Sequence, residues 1–142
     1  MSMHEIQPLL TTRMQLGECP LWHAQEAALY WIDIDGRAVH RHIPATDTHH
    51  HWDMPSEPGC ITINTGGGLL VALRSGLALL NTSNGKLTAI ADAPYNPTTT
   101  RFNDGRCDAA GRLWVGSIYE PRDHPNAALF CVEHGAIRDS GK

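Results

Sequence analysis

Residues 101–116 read RFNDGRCDAAGRLWVG, and they contain the strand pattern on which the rest of the chain can be aligned. Arg101 and Asn103 alternate in a short extended run, so both side chains face the same way. Asp104-Gly105 is typical of a turn, and Leu113-Trp114-Val115-Gly116 is typical of a buried strand. The stretch predicts a β structure that presents an arginine and a carboxamide on one side, a pair able to grip an oxygen-rich small molecule.

The buried strand occurs twice more, earlier in the chain. Leu29-Tyr30-Trp31-Ile32 begins 40 residues before Leu69-Leu70-Val71-Ala72, which begins 44 residues before Leu113. We expect each of these strands to follow a strand with a cysteine near its start; the three cysteines are Cys19, Cys60 and Cys107. A unit of two strands therefore repeats along the chain.

Two more strands follow in each unit. The predicted third strands are 38–42, 76–80 and 127–132, and the predicted fourth strands are 48–52, 87–90 and 136–138. Four short strands in about 40–45 residues is the spacing of propeller blades, whereas a β-sandwich or a small barrel is the alternative. Because the whole unit repeats, the sequence predicts an all-β β-propeller with about three four-stranded blades, at 16–57, 58–100 and 101–142.

Composition limits the class of partner. The chain has 142 residues, of which 42% are hydrophobic, and 11 Lys and Arg against 15 Asp and Glu give a net charge of −4. This size fits a single domain. Without a basic patch, neither nucleic acid nor an anionic membrane surface is expected as a partner. A polar small molecule or another protein is the expected partner.

The first residues and the cysteines bear on location. Met1 to Pro8 carries neither the basic nor the apolar segment of a signal peptide, and no apolar run approaches the ~18 residues of a transmembrane helix. The four cysteines, at positions 19, 60, 107 and 131, form no CxxC pair. We therefore expect reduced cysteines in the apolar core of a cytoplasmic protein.

Three motifs in colinear order resemble one known family. They are Leu16–Trp22 (LGECPLW), Leu29–Gly36 (LYWIDIDG) and residues 101–116. From Leu16 to its last residue the chain resembles the regucalcin (senescence marker protein)/gluconolactonase family. The resemblance implies a metal-dependent lactonase built as a six-bladed β-propeller. Since about three blades are present, we expect the chain to be the N-terminal half of a family member.

A half ring leaves open sheet edges. Ile6–Leu10, within residues 1–15, is a candidate ring-closing strand, but the blade that it would complete is not in the sequence. Open edges and apolar blade faces favour self-association, and two copies can pair into a six-bladed pseudo-ring. We therefore expect self-association through the open blade edges.

Glu18 is the candidate metal ligand. Taken alone, an acid between Gly17 and Cys19-Pro20 is typical of a surface turn. The resemblance changes this interpretation, because the family's Gly-Glu-x-Pro glutamate binds the single divalent metal ion. Calcium and zinc are the expected ions, and magnesium and manganese are the alternatives that a carboxylate oxygen also suits.

Arg101, Asn103 and Glu120 are the candidate substrate contacts. Without the family motif, Arg101 is interpreted as a solvated charge and Asn103 as a turn residue before Asp104. The family's Arg-x-Asn-Asp-Gly motif implies that both residues hold a sugar-like substrate above the metal. Glu120 lies near the family's second substrate-contacting acid, and Tyr119 before it is expected to reshape the substrate pocket.

Two other polar groups are weaker candidates. Asp33 and Asp35 lack the further oxygen ligands of a calcium-binding loop, so we expect them to stabilise the turn before Gly36. In the tract His49-His50-His51, only the first and third side chains share a face of an outer strand. Two exposed imidazoles make an adventitious metal site at best.

The resemblance implies the hydrolysis of a sugar lactone, a small-molecule substrate. The family's general base and its remaining metal ligands are expected beyond Lys142, so no catalytic residue is assigned, and we expect the chain to be inactive alone. Two alternatives stay open: a related esterase or phosphotriesterase on the same metal platform, and a non-catalytic metal- or ligand-binding propeller.

Overall fold

A computed structural model describes residues 5–142 and contains twelve strands in them. The first sheet contains β1 (Gly17–His23), β2 (Ala28–Asp33), β3 (Ala38–Ile43) and β4 (Thr48–Asp53). The second contains β5 (Pro58–Ile63), β6 (Leu69–Leu73), β7 (Gly76–Leu80) and β8 (Leu87–Asp92). The third contains β9 (Thr100–Cys107), β10 (Leu113–Tyr119), β11 (Leu129–Glu133) and β12 (Ala136–Asp139).

Each sheet is antiparallel, with its four strands in chain order, and we call the three sheets blades 1, 2 and 3. The predicted all-β architecture of consecutive propeller blades is confirmed. The described residues contain no helix that is long and apolar enough to cross a membrane.

Blades 1 and 2 pack face to face. Alternation along β2 turns Tyr30 and Ile32 toward blade 2, where they join Val71 and Leu80 in one apolar cluster. All four side chains are fully buried. Burying an apolar side chain of this size contributes about 1.5–3 kcal/mol, so this layer is a main source of stability.

Blades 2 and 3 pack through a second apolar cluster. Cys60 and Leu77 of blade 2 meet Phe102 and Phe130 of blade 3, and Tyr95 packs against its side. The Phe102 ring meets Phe130 edge to face with 5.9 Å between ring centroids, and it meets Tyr95 edge to face at 5.1 Å. The packing of the Phe102 ring therefore fixes the position of β9 between Arg101 and Asn103.

The first strands of blades 1 and 2 lie side by side and run in the same direction. The Ile61 amide of β5 donates to Cys19 Sγ of β1 at 3.5 Å. Farther along both strands, Trp22 and Ile63 line one cleft. Because later residues of β1 meet later residues of β5, the two strands begin at the same end of the molecule.

The first strands of blades 2 and 3 are related in the same way. Gly59 of β5 lies so close to β9 that a Cβ there would collide with the Phe102 carbonyl oxygen. Three residues later, Thr62 Oγ1 lies 3.1 Å from Cys107 Sγ. All three first strands therefore begin at one end of the molecule, which we call the proximal end.

The prediction of a turn at Asp104-Gly105 is wrong. β9 continues through both residues to Cys107, and Gly105 pairs with Val115 of β10. A Cβ on Gly105 would lie 2.7 Å from the Trp114 carbonyl oxygen, so this glycine permits a close approach of two strands. The repeated unit predicts Cys107 near the start of the strand that precedes β10. That strand is β9, and Cys107 is its last residue.

The cysteines only partly follow the expectation of a core location. All four are free. Cys60 and Cys131 are buried and Cys19 is half-buried, but Cys107 is exposed because it ends β9. The cysteines are therefore not uniformly core residues.

Asp33 stabilises a turn, as expected. Its carboxylate accepts hydrogen bonds from the Gly36 amide at 3.0 Å and from the Gln15 and Leu16 amides at 2.9 Å. Burial raises the pKa of Asp33, but these backbone N–H groups outweigh it and hold the pKa below its ordinary value. Asp33 thereby ties the chain before β1 to the β2–β3 turn.

The predicted ring-closing strand is not formed in the described residues. Residues 1–4 lie outside them, and Ile6–Leu10 belongs to no strand. Leu9 and Leu10 line a small cavity with Leu29 and Trp31 of blade 1 instead. The blade that such a strand is expected to complete is not among the three described sheets. The blade ranges and the assignment of the chain to the N-terminal half of a ring stay predictions.

Candidate functional site

All four residues selected from the sequence belong to the proximal end. Glu18 is the second residue of β1, whereas Arg101 and Asn103 are the second and fourth residues of β9. Glu120 directly follows β10, and its amide donates to the Thr99 carbonyl oxygen at 2.9 Å. Antiparallel pairing of β9 with β10 therefore brings Arg101, Asn103 and Glu120 together.

Arg101 is the centre of this group. Its Nη1 donates to Asn103 Oδ1 at 3.3 Å and to the Phe102 carbonyl oxygen at 3.0 Å. Its Nε lies 3.6 Å from Glu120 Oε1, and only 12% of its side chain is exposed. The guanidinium is thus held close to Asn103, as the alternation of the two residues along β9 predicts.

A β-bulge shapes the strand at Asn103. The pairing of β9 with β10 shifts register between Val115 and Ser117, where Asn103 and Asp104 both lie opposite Gly116. A bulge of this kind bends the strand and turns a side chain away from the regular alternation. Asn103 and Asp104 line different clefts.

The first of these clefts, of about 530 Å³, is open to solvent beside Asn103. Ser117, Tyr119 and His124 also line it. The expected effect of Tyr119 on a substrate pocket stays a prediction. A polar molecule in this cleft would meet the Asn103 carboxamide and the end of β10.

Glu18 belongs to a second cleft, of about 470 Å³, between the first strands. Its other lining residues include Thr62, Asp104 and Arg106. Glu18 is exposed, and β1 shifts register directly after it, where Cys19 has a φ of 52°. A residue other than glycine rarely adopts this conformation, and such strain is common at functional sites.

Sequence reasoning missed Arg74, the residue after β6. Its guanidinium makes a two-point contact with the Glu120 carboxylate, from Nη2 to Oε1 at 2.8 Å and from Nη1 to Oε2 at 3.0 Å. The hydrogen bond from Arg74 holds the pKa of Glu120 below its ordinary value, against the effect of burial. Glu120 is therefore an ionised acid that Arg74 holds beside Arg101.

The same network continues to blade 1. Arg74 Nε donates to Glu57 Oε2 at 3.0 Å, and Arg37 Nη2 lies 3.7 Å from Glu57 Oε1. Burial raises the pKa of Glu57, but its backbone hydrogen bond and Arg74 lower it by more. Alternating charges thus join the proximal ends of all three blades. No local sequence signal marks this network, because its members are far apart in the chain.

The donor set fits a metal ion only in part. Within residues 5–142, no group of three or more His, Cys, Asp or Glu side chains is arranged to hold a metal ion. The Glu18 carboxylate is exposed in a cleft with polar walls, and carboxylate oxygen is a ligand for a hard divalent cation. Glu18 therefore stays a candidate ligand, and no complete ligand set surrounds it among the described residues.

Comparison with known proteins shows which family of proteins this chain is similar to. The family model described as SMP-30/Gluconolactonase/LRE-like region matches residues 16–140. A 6-deoxy-6-sulfogluconolactonase of Pseudomonas putida is 40% identical over 118 residues, which are 83% of this chain and 40% of that protein. A pentonolactonase of Haloferax volcanii is 35% identical over 130 residues, which are 88% of this chain and 41% of that protein.

A solved structure of a related protein has a similar fold. The regucalcin of Agrobacterium tumefaciens, described as a calcium-binding protein, has a TM-score of 0.85 at 26% identity, over 92% of this chain and 44% of its own. The chain spans less than half the length of each of these three relatives. With three propeller blades and a family match that covers nearly all of them, the chain belongs to the SMP-30/gluconolactonase family.

Proposed function

We propose that the whole protein to which these residues belong hydrolyses a sugar lactone in a metal-dependent reaction. The main support for the proposal is that Arg101 lies in contact with both Asn103 and Glu120 at the start of β9. The family to which the chain belongs includes named sugar lactonases. A cyclic sugar ester presents hydroxyl groups and a carbonyl oxygen, which this mixture of donors and acceptors suits.

Each of the three side chains has a distinct role. Arg101 donates fixed hydrogen bonds to substrate oxygens, and the Asn103 carboxamide both donates and accepts. Glu120 accepts a hydrogen bond from a substrate hydroxyl and balances the charge of Arg101. Because Arg74 and Arg101 keep Glu120 ionised, it acts as an acceptor and an orienting group rather than as an acid.

Glu18 is the proposed metal ligand. Calcium or zinc is the proposed ion, with magnesium or manganese as alternatives, and the description of the Agrobacterium tumefaciens regucalcin as calcium-binding supports a divalent cation. Such an ion, when bound, polarises a lactone carbonyl and makes an attacking water more acidic. No general base is assigned, and we propose that the chain of 142 residues is inactive alone.

A non-catalytic metal-binding propeller is the second candidate. The description of the same regucalcin names calcium binding and no reaction. This candidate predicts metal binding that depends on Glu18 without any hydrolysis.

The proposal also covers location and partner. The four free cysteines support the cytoplasm as the compartment. A small sugar lactone is the proposed partner, since the Pseudomonas putida and Haloferax volcanii relatives are named for such substrates.

A lactone hydrolysis assay tests the proposal. The chain and a version extended to full family length are assayed with calcium, zinc, magnesium or manganese. We expect metal-dependent hydrolysis only in the extended version, and its loss in Glu18→Gln. Asp35→Asn, which changes an exposed acid in the β2–β3 turn, is the matched control and keeps the activity.

Other outcomes decide between the candidates. If Glu18→Gln abolishes calcium binding and the extended version hydrolyses no lactone, the binding propeller is supported. Hydrolysis that Glu18→Gln leaves unchanged rules out the role of Glu18. Activity in the chain of 142 residues contradicts the expectation that it is inactive alone.

A further inference from the structure

A cluster of histidines lies on the face of blade 1 that points away from blade 2. Tyr30 and Val39 face blade 2. Because side chains alternate along a strand, Trp31 of β2 and His40 of β3 face the other way, and the two residues are paired across the strands. His49 of β4 joins them on that face.

His40 and His49 are already in contact. His40 Nδ1 lies 2.9 Å from His49 Nε2, a distance at which one ring nitrogen donates to the other. The acceptor nitrogen directs its lone pair at the partner ring, and each neutral imidazole has one such lone pair, on its unprotonated nitrogen. The sequence tract alone suggested only His49 and His51, and His40 becomes visible as a partner only once β3 and β4 are paired.

The two rings are held in place by their surroundings. The Trp31 ring stacks on His40 at 5.2 Å and on His49 at 5.5 Å between centroids. His40 is 6% exposed, so its ring cannot swing into solvent without leaving this stack. His51 lies opposite His40 on the paired strand with 5.5 Å between ring centroids, and its Nε2 lies 3.5 Å from Asp53 Oδ1. The facing pair is therefore a preorganised feature of blade 1.

We propose that His40 Nδ1 and His49 Nε2 are the protein ligands of a divalent transition-metal ion such as Zn²⁺, with water completing the coordination. Two nitrogens bound to one tetrahedral zinc ion at about 2.0–2.1 Å lie roughly 3.3 Å apart. The present separation of 2.9 Å is within a few tenths of an ångström of that geometry. The donor ring keeps its single proton by moving it to its other nitrogen, so the exchange leaves both imidazoles neutral.

This site differs in chemistry from the Glu18 site. Imidazole nitrogen favours zinc, copper or nickel, whereas oxygen ligands favour calcium and magnesium. His40 and His49 lie on the outer two strands of blade 1, while Glu18 lies on β1. A bound ion would join β3 to β4 and raise the stability of the outer edge of the blade.

Zinc titration of the chain tests the proposal. We expect one Zn²⁺ to bind by calorimetry, and His49→Gln to weaken its binding by about tenfold or more. His50→Gln is the matched control, because His50 lies on the other face of the same strand, where its ring packs against Trp52 at 4.6 Å. The control is expected to bind zinc as the unchanged chain does, and Ca²⁺ is not expected to compete.

A second readout keeps the test independent of folding and of the proposed function. In ¹⁵N spectra of the imidazole rings, zinc is expected to shift His40 Nδ1 and His49 Nε2 selectively. Glu18→Gln is expected to leave these shifts unchanged, so failure of the lactonase proposal would not remove them. The proposal is overturned if no zinc binds, if His49→Gln and His50→Gln weaken binding equally, or if other rings shift instead.

Discussion

Arg74 shows how one side chain can organise a site that it does not enter. Its guanidinium reaches the two acids Glu57 and Glu120 and also donates to the Pro97 carbonyl oxygen at 3.0 Å. Only 18% of the Arg74 side chain is exposed, so its fork of donors is largely committed to these partners. A planar guanidinium serves this geometry, whereas a lysine ammonium can satisfy only part of it.

At this scale we predict the effect of Arg74→Met. Glu120 loses its main cation, so its pKa should rise toward the ordinary value of 4.5. Because the Glu120 side chain is 41% exposed and screened by water, the loss of stability at pH 7 should be about 0.5–1 kcal/mol. Carboxyl NMR titration and urea unfolding measure the two effects.

Because the pKa of Glu120 is lowered in the folded chain, its contribution to stability decreases as the pH falls. Glu120 contributes stability above its unfolded pKa, and the contribution is lost as the pH falls through its folded pKa. The difference between the unchanged chain and Arg74→Met should therefore shrink in acid. Arg74→Lys is the matched control and should recover part of the stability. A difference that stays the same from pH 7 down to pH 3 would contradict this role of Arg74.

At the scale of strands, glycines decide how closely the blades approach one another. Gly59 lets β5 lie directly against the Phe102 carbonyl group and the Asn103 amide of β9. The first strand of blade 2 thereby supports the backbone of the candidate site in blade 3. Gly105 has the same effect between β9 and β10, and both positions are close contacts rather than turns.

We predict that Gly59→Ala destabilises the chain by about 1–3 kcal/mol, because the new methyl group collides with backbone that cannot move alone. The control is Gly116→Ala in β10, where a Cβ would meet only the Asp104 carbonyl oxygen at an ordinary 3.8 Å. Urea unfolding measures the stability, and the amide resonance of Asn103 reports the displacement of β9. Equal effects of the two substitutions would show that Gly59 is not a critical contact.

At the scale of the whole molecule, three blades in a row leave two sheet faces without a neighbouring blade. Blade 2 packs on both sides, but blades 1 and 3 each pack on one side only. Open sheet edges and uncovered faces are surfaces on which proteins associate.

We therefore predict that the chain of 142 residues self-associates and that a version extended to full family length does not. Sedimentation velocity over a range of concentrations measures this, and the sedimentation coefficient of the chain should rise with concentration. A monomeric chain at every concentration would contradict the prediction, as would equal association of the extended version.

Much of the fold could be predicted from local patterns. The predicted third strand of blade 2, residues 76–80, is β7 as observed, and the turn chemistry at Asp33 and Gly36 agrees with the hydrogen bonds found there. The error at Asp104-Gly105 has a physical origin. A glycine required for a close approach between strands leaves the same local signal as a glycine required for a turn.

Sequence alone was sufficient for the repeated four-strand unit and for the side-by-side placement of Arg101 and Asn103, since alternation along a strand and short turns are properties of neighbouring residues. The tertiary structure decided the rest. Glu120 and Arg74 are 46 residues apart, and His40 meets His49 only through the register of β3 and β4. Such contacts depend on how separate strands and blades are packed, and no local pattern in the chain encodes that packing.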